Sequence, residues 1–304
     1  MNKLNAIICG NGPSLKNIDY KSLPKEYDVF RCNQFYFEEK YYLGKNIKYV
    51  FFNSFVFFEQ YYTAKKLIEK KEYNIENIIC STFNLPTIDN ENFIKNFNNY
   101  FCDAHLGHEI LHNIKDFLAF IKYNEIYENN RITSGIYMCA IAIALGYKNI
   151  YLCGIDFYND KNNMYGFDNK KENLLKINPA FLKKDSVYVK HSKEFDLKAL
   201  EFLKDKYNVN FYSLNNNNNN NSELSKYMPL VPNTNNNFAL IDKDKNYVND
   251  VLIPKDKDYC NLFKQEDGKI KLKENVYYKL FKDLFRLPSD IKHYLKEKHA
   301  NKNR

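Results

Sequence analysis

Short apolar runs alternate along this chain with longer segments whose apolar residues recur every three or four positions. Asn5–Gly10, Tyr27–Cys32, Ile47–Phe52, Ile75–Cys80, Ile150–Ile155 and Val209–Leu214 are each six residues long, rich in β-branched and aromatic side chains, and predict buried strands. Between them, Phe57–Tyr73, Ile110–Tyr127, Ile136–Leu145 and Glu194–Tyr207 carry helical spacing; in the last, Leu197, Leu200 and Leu203 fall on one stripe. Ile136–Leu145 is apolar nearly all round and stops at Gly146, a C-cap residue, so it reads as a buried helix. Strands alternating with helices predict the α/β class, with a doubly wound, mostly parallel sheet.

The candidate chemistry sits at the strand ends. The first strand runs into Gly10-Asn11-Gly12-Pro13-Ser14, and others end at Asn33-Gln34, Asn53-Ser54 and Ser81-Thr82. Any one of these is an ordinary turn. Their recurrence predicts a sheet edge lined with uncharged hydrogen-bonding groups, suited to a base, ribose or sugar rather than a metal. The Gly-Asn-Gly-Pro-Ser turn is neither G-x-G-x-x-G nor a P-loop, so a phosphate or sugar cradle and a plain tight turn both remain open. Arg131 and the Thr133-Ser134-Gly135 helix start could hold an anion. The strand at Ile150 reaches Asp156 and Phe157 and then opens into a segment holding Tyr158, Tyr165, Phe167, Phe181 and Tyr188, ending on Lys190-His191-Ser192. An aromatic segment of this kind after a parallel strand predicts a lid over a ligand.

Composition narrows the classes. At 304 residues and 44% apolar the chain can bury a large core. The net charge of +8 comes from scattered lysines with no arginine-rich helix or aromatic RNA-reading motif, so no nucleic acid partner is expected; an anionic small substrate or anionic membrane fits better. Seven cysteines, widely spaced and without a C-x-x-C pair, argue against a disulfide framework. No signal peptide or membrane-spanning run is apparent, so a reducing cytoplasm is expected. Asn215–Asn221 reads as a surface linker, and the chain from there to Asp267 as irregular. Lys273–Lys298 is basic and amphipathic, interrupted at Pro288, and predicts a surface that lies on anionic lipid or a partner.

Two metal motifs compete. His108-Glu109-Ile110-Leu111-His112 is a literal H-E-x-x-H of the zinc-peptidase kind, but the metzincin continuation is missing. Asp242-Lys243-Asp244 and Asp256-Lys257-Asp258 match D-x-D but fall in polar sequence rather than at a strand end, which favours a solvated loop.

Several blocks, in order, resemble a known family. Gly10–Leu15 (GNGPSL), Phe30–Phe37 (FRCNQFYF), Phe57–Tyr62 (FFEQYY), Arg131–Gly135 (RITSG), Gly154–Tyr158 (GIDFY), His191-Ser192 and Arg286–Tyr294 (RLPSDIKHY) are similar to the bacterial sialyltransferases of glycosyltransferase family 42, of the Campylobacter lipooligosaccharide type. The resemblance implies a single Rossmann-like domain of GT-A-like variant (1–156 with 192–267), a small lid subdomain (157–191) and a membrane-associating tail (268–304). It implies inverting transfer from CMP-N-acetylneuraminate to a galactose-terminated lipooligosaccharide, with no metal and no cofactor. His191 would be the general base and Tyr158 and Tyr165 would serve the departing phosphate, with Arg131 a fourth catalytic residue. Asn11, Gly12, Asn33 and Asn53 would meet the donor, as would Thr133, Ser134, Gly135, Asp156 and Phe157, with Phe181 and Tyr188 closing over it. Gln34, Arg131 and Asn53 fall on the acceptor side, where Asn53 suggests α-2,8 transfer beside α-2,3. A homotetramer, peripheral on the cytoplasmic face of the inner membrane, completes the expectation. The alternative is a nucleotide-sugar-binding protein without turnover.

Overall fold

A computed structural model describes residues 4–81, 88–157, 165–167, 190–215, 223–231, 233–243 and 276–302. The described strands are β1 (Asn5–Cys9), β2 (Asp28–Cys32), β3 (Lys40–Tyr41), β4 (Asn46–Phe52), β5 (Asn74–Cys80), β6 (Ala104–Leu106), β7 (Asn130–Arg131), β8 (Asn149–Cys153), β9 (Lys190–His191), β10 (Asn210–Ser213) and β11 (Ile241–Asp242). The α-helices are α1 (Phe57–Glu69), α2 (Ile88–Tyr100), α3 (Gly107–Leu111), α4 (Lys115–Tyr127), α5 (Ser134–Ala144), α6 (Lys193–Tyr207) and α7 (Val276–Lys302). Two compact units divide the chain, Met1–Ile253 and Pro254–Arg304.

The first unit is built on a seven-stranded sheet of order β10-β8-β1-β2-β4-β5-β6, with every neighbouring pair parallel. The expected α/β sheet is therefore present. Alternate residues of each strand feed opposite faces. Ala6, Ile8, Phe30, Cys32 and Phe51 join the core beneath α3 to α6. On the other face, Val50, Phe52, Ile78 and Cys80 pack beneath α1 and α2, and Ile7, Cys9, Val29 and Cys153 beneath Leu15, Ile18 and Leu43. Burial on both faces explains why these strands read as continuous apolar runs.

From β1 the order proceeds one way through β2, β4, β5 and β6 and the other way through β8 and β10. The reversal at β1 and β8 opens a crevice at their carboxyl ends, where ligands of open α/β sheets bind.

Several boundaries differ from the sequence reading. The helix expected at Ile110–Tyr127 is broken into α3, a 3-10 turn at His112–Ile114, and α4. The helix α2 and the strand β6 were not expected. Pro288 lies inside an unbroken α7 rather than interrupting it. Asn215, first of the asparagine run, is buried and donates Nδ2–H to the Ser14 carbonyl at 2.7 Å. The rest of that run lies outside the described residues.

Of the D-x-D motifs, Asp242-Lys243 forms a strand end rather than a loop, with Asp242 solvated as expected and Lys243 not; Asp244 and Asp256-Lys257-Asp258 lie outside the described residues. β11 pairs antiparallel with β3, and Asp242 bridges Lys40 at 2.9 Å. The Lys243 ammonium is buried, donating to the Tyr36 carbonyl at 2.9 Å and lying 3.7 Å from Glu72 Oε1. It sits 5.0 Å from the Tyr73 ring centroid and 5.3 Å from that of Tyr41. Tyr41 donates to Glu72 at 2.6 Å and Tyr73 to Glu38 at 2.8 Å, and Glu38 pairs with Arg31 at 2.8 Å. Charges this deep persist because each stands beside an opposite charge. The network fastens the 233–243 segment to the strand that leads into Asn33.

Candidate active site

The turns after β1 and β8 touch backbone to backbone. Gly10 N–H donates to the Cys153 carbonyl at 2.9 Å, and Gly12 N–H to the Gly154 carbonyl at 2.8 Å. A Cβ on Gly10 would stand 2.2 Å from the Gly154 oxygen, and Gly154 itself has φ of +63°, so only glycine serves at either position. Asp156 continues the contact by accepting Ser14 N–H at 2.9 Å.

These turns line a crevice of about 690 Å³. Gly10, Asn11 and Gly12 come from the β1 end and Cys32, Asn33 and Gln34 from the β2 end. The start of α5 adds Thr133, Ser134 and Gly135, the β8 end adds Gly154 to Phe157, and Tyr165 completes the lining. Asn11 donates Nδ2–H to the Cys32 carbonyl at 2.9 Å, while its Oδ1 is buried without a partner. Gln34 Nε2 is likewise buried and unpaired. Such orphaned groups are costly unless a ligand or water meets them. Asn33 and Phe157 hold φ near +50°; asparagine tolerates this, but for phenylalanine it is strain of roughly 1–3 kcal/mol, as found at ligand clamps.

A second crevice, about 580 Å³, shares the Thr133–Ser134 wall and is lined also by Asn53, Ser81, Glu125, Arg131, Tyr137 and His191. β7 pairs with β9 there, bringing Arg131 opposite His191. His191 Nδ1 is 3.0 Å from the Arg131 carbonyl. A carbonyl only accepts, so Nδ1 carries the proton and Nε2 keeps its lone pair. The imidazole keeps an open edge, yet loss of water around the rest of the ring, and then the Arg131 charge, hold its pKa below the ordinary value. The ring is neutral at pH 7. Glu125, buried on α4, pairs with Lys122 at 3.1 Å and stands 3.8 Å from Arg131 Nε.

The structure thus brings together, in two adjoining crevices, all the nominated residues that it describes. Gln34 lies with the donor candidates in the first; Asn53 and Arg131 lie beside His191 in the second. Tyr158, Phe181 and Tyr188 fall outside the described residues, as does most of the expected lid. Of that segment, Tyr165 stacks on Phe167 at 5.0 Å, Phe167 packs on Phe37 at 5.4 Å, and Gly166 N–H donates to the Asn11 carbonyl at 2.7 Å. Ser81 lines the second crevice, as expected of its strand end; Glu125, Tyr137 and Cys32 were not anticipated, since nothing local marks a helix residue or the last apolar residue of a strand as facing a crevice. The rings of His108 and His112 are 6.3 Å apart, and among the described residues no three His, Cys, Asp or Glu side chains are grouped to hold a metal.

Paired crevices at the switch point of a doubly wound sheet, one lined by polar groups with Asp156 among them and the other by Glu125, Arg131 and a neutral histidine, make this a ligand-binding α/β protein of the nucleotide-binding kind. Similarity to known proteins gives the family. The family model described as alpha-2,3-sialyltransferase (CST-I) matches residues 4–298, and the chain belongs to that family of glycosyltransferases. It is similar to the Campylobacter jejuni sialyltransferase CstII in complex with the substrate analogue CMP-3FNeuAc, at 55% identity and TM-score 0.76, covering 84% of this chain and 96% of that one. Monofunctional alpha-2,3-sialyltransferase Cst-I of Campylobacter jejuni is 51% identical with TM-score 0.77, covering 95% and 96%. An uncharacterized Haemophilus influenzae protein is 41% identical over 234 residues, 77% of this chain and 98% of its own.

Proposed function

We propose that this sialyltransferase moves sialic acid from CMP-N-acetylneuraminate, seated in the first crevice, to a terminal galactose of lipooligosaccharide, seated in the second. The observation that carries the reading is the shared Thr133–Ser134 wall, which sets a neutral His191 beside the crevice that would hold the donor. The structures of relatives agree in kind: CstII has been solved with CMP-3FNeuAc and, separately, with a trisaccharide acceptor and CMP.

The transfer needs one proton removed and one leaving group stabilised. His191 Nε2 takes the proton from the acceptor hydroxyl. Its oxygen attacks the anomeric carbon from the face opposite the phosphate, and the breaking bond's electron pair leaves with CMP, inverting the centre. Tyr165 lines the donor crevice and, with Tyr158, would donate to the developing phosphate charge. The uncapped start of α5 at Ser134 and Gly135 offers N–H groups to an anion. Asn11 Oδ1 is left to accept from the nucleotide and Gln34 Nε2 to donate to the sugar. A single-phosphate leaving group served by these donors requires no metal. Asn53 in the second crevice suits a sialylated acceptor, and hence some α-2,8 transfer.

The tail completes the proposal. Tyr277, Phe281, Leu284, Ile291 and Leu295 share one stripe of α7 and are exposed; with Lys282 and Arg286 on the opposite side, the helix suits an anionic inner-membrane surface. No described helix is long and apolar enough to cross a membrane. A homotetramer rests on the family resemblance.

The test is incubation with CMP-sialic acid and lactose in EDTA. Release of CMP with formation of sialyl-lactose is expected. Donor binding without transfer would overturn the catalytic reading in favour of a binding protein, and restoration by added metal would overturn metal independence.

A further inference from the structure

The stretch Arg131–Gly135 joins the two crevices, and its middle residue is held from outside. Thr133 is the N-cap of α5, extended at φ −73° and ψ 166°, yet its side chain makes no bond to its own helix. Both its donors turn to Asp196 on the first turn of α6: the N–H reaches Oδ1 at 2.9 Å and the hydroxyl reaches Oδ2 at 2.7 Å. Asp196 is fully buried. An aspartate taken wholly out of water is rare and costly.

This geometry has two consequences. A threonine hydroxyl at an N-cap ordinarily accepts an N–H from the first turn; here it donates elsewhere, so the α5 amino terminus is left open towards the donor crevice. The second concerns the base. His191 is followed at once by Ser192, the N-cap of α6, whose Oγ accepts Phe195 N–H at 3.1 Å. Asp196 therefore belongs to the same rigid start of α6 as His191. The two helix starts are tied twice, by the Arg131 carbonyl on His191 and by Asp196 on Thr133.

We propose that Asp196 is a positioning residue for the transfer reaction: by clamping Thr133 it keeps the donor-facing end of α5 open and fixes it relative to His191. The inference rests on the sialyltransferase reading above. It assigns Asp196 no contact with substrate.

The test uses the full chain with Asp196→Asn, Thr133→Val, Thr133→Ser and the Asp196→Asn/Thr133→Val double variant. CMP affinity is read by calorimetry and turnover with CMP-sialic acid and lactose. Thr133→Val and Asp196→Asn are each expected to weaken CMP binding about tenfold and to lower kcat by more than tenfold. The lactose KM should move less than threefold, and in Thr133→Val, which removes no titrating group, the acid limb of the pH profile should stay in place. Thr133→Ser keeps the hydroxyl and should restore at least half the activity. The double variant should be no worse than the poorer single one, because both remove the same contact. Single variants within twofold of wild type in CMP affinity and kcat would overturn the proposal, as would multiplicative losses in the double. Should Asp196→Asn fail to fold, the Thr133→Val and Thr133→Ser pair decides alone. Full activity in His191→Ala would refute the base assignment but leave the expected loss of CMP affinity untouched, so the two failures are distinguishable.

Discussion

Replacing Gly10 by alanine tests the geometry of the donor crevice at its tightest point. The added Cβ would lie 2.2 Å from the Gly154 oxygen and 3.0 Å from its carbonyl carbon. Both are backbone atoms at the ends of paired strands β1 and β8, so no side chain can swing away. Reaching even 3.0 Å requires the turns to part by about 0.8 Å. That would stretch the 2.8 Å Gly12-to-Gly154 hydrogen bond beyond bonding range. Losing one or two such bonds and leaving a carbonyl unpaired costs roughly 2–4 kcal/mol, or on the order of 5–15 °C in Tm for a domain of this size. A displacement near 1 Å in the donor turn is enough to cost about 10² in rate. Calorimetry with CMP and a thermal melt read both effects. Gly146→Ala is the control: it has φ of +96° but nothing within 4 Å of the new Cβ, so it should lower Tm slightly without touching CMP affinity. Wild-type Tm and CMP affinity in Gly10→Ala would refute the close-approach account.

Three further outcomes are expected. Lys243→Met leaves Glu72 buried beside Tyr41 without its cation; a loss of roughly 3 kcal/mol is expected in denaturant unfolding, and an unchanged midpoint would contradict the network. Burial raises the Asp196 pKa to about 7, so the native state holds a proton there that the unfolded chain, titrating near the ordinary aspartate value, does not. The carboxylate's cost therefore appears as pH rises from about 4 to about 7, and the stability of Asp196→Asn, read by denaturant unfolding, should gain on wild type across that window by up to about 1.4 kcal/mol per unit, then level off; a gap independent of pH would contradict it. Deleting 271–304 should leave turnover intact and abolish binding to anionic liposomes, and retained binding would remove the membrane role from α7.

The sheet was legible because each central strand is a short apolar run buried on both faces, and the crevice because its residues come directly after those runs. Where the signal depends on distant partners it failed. α2 holds five asparagines among its thirteen residues, too polar a run to stand out as a helix, and the two-residue strands β3 and β11 exist only through one another. Lys243 looked solvated because nothing in the sequence announces Glu72 and three tyrosines gathered round it. Asp196 was equally invisible: an aspartate in a first helical turn suits the helix dipole and gives no hint that its carboxylate belongs to a threonine 63 residues earlier. His191 lay between these extremes. Its place after an aromatic segment suggested a role, but Arg131 opposite it emerged only from the β7–β9 pairing.

The central claim is that neutral His191 removes the acceptor proton. Its lowered pKa places the acid limb of kcat/KM below the ordinary histidine value, with activity lost as the ring protonates. The most direct measurement is the rate of sialyl-lactose formation by His191→Ala at pH 7.5, beside its affinity for CMP. The account predicts a fall of about 10²–10⁴ in rate with CMP affinity within twofold of wild type. A wild-type rate in that variant would contradict it.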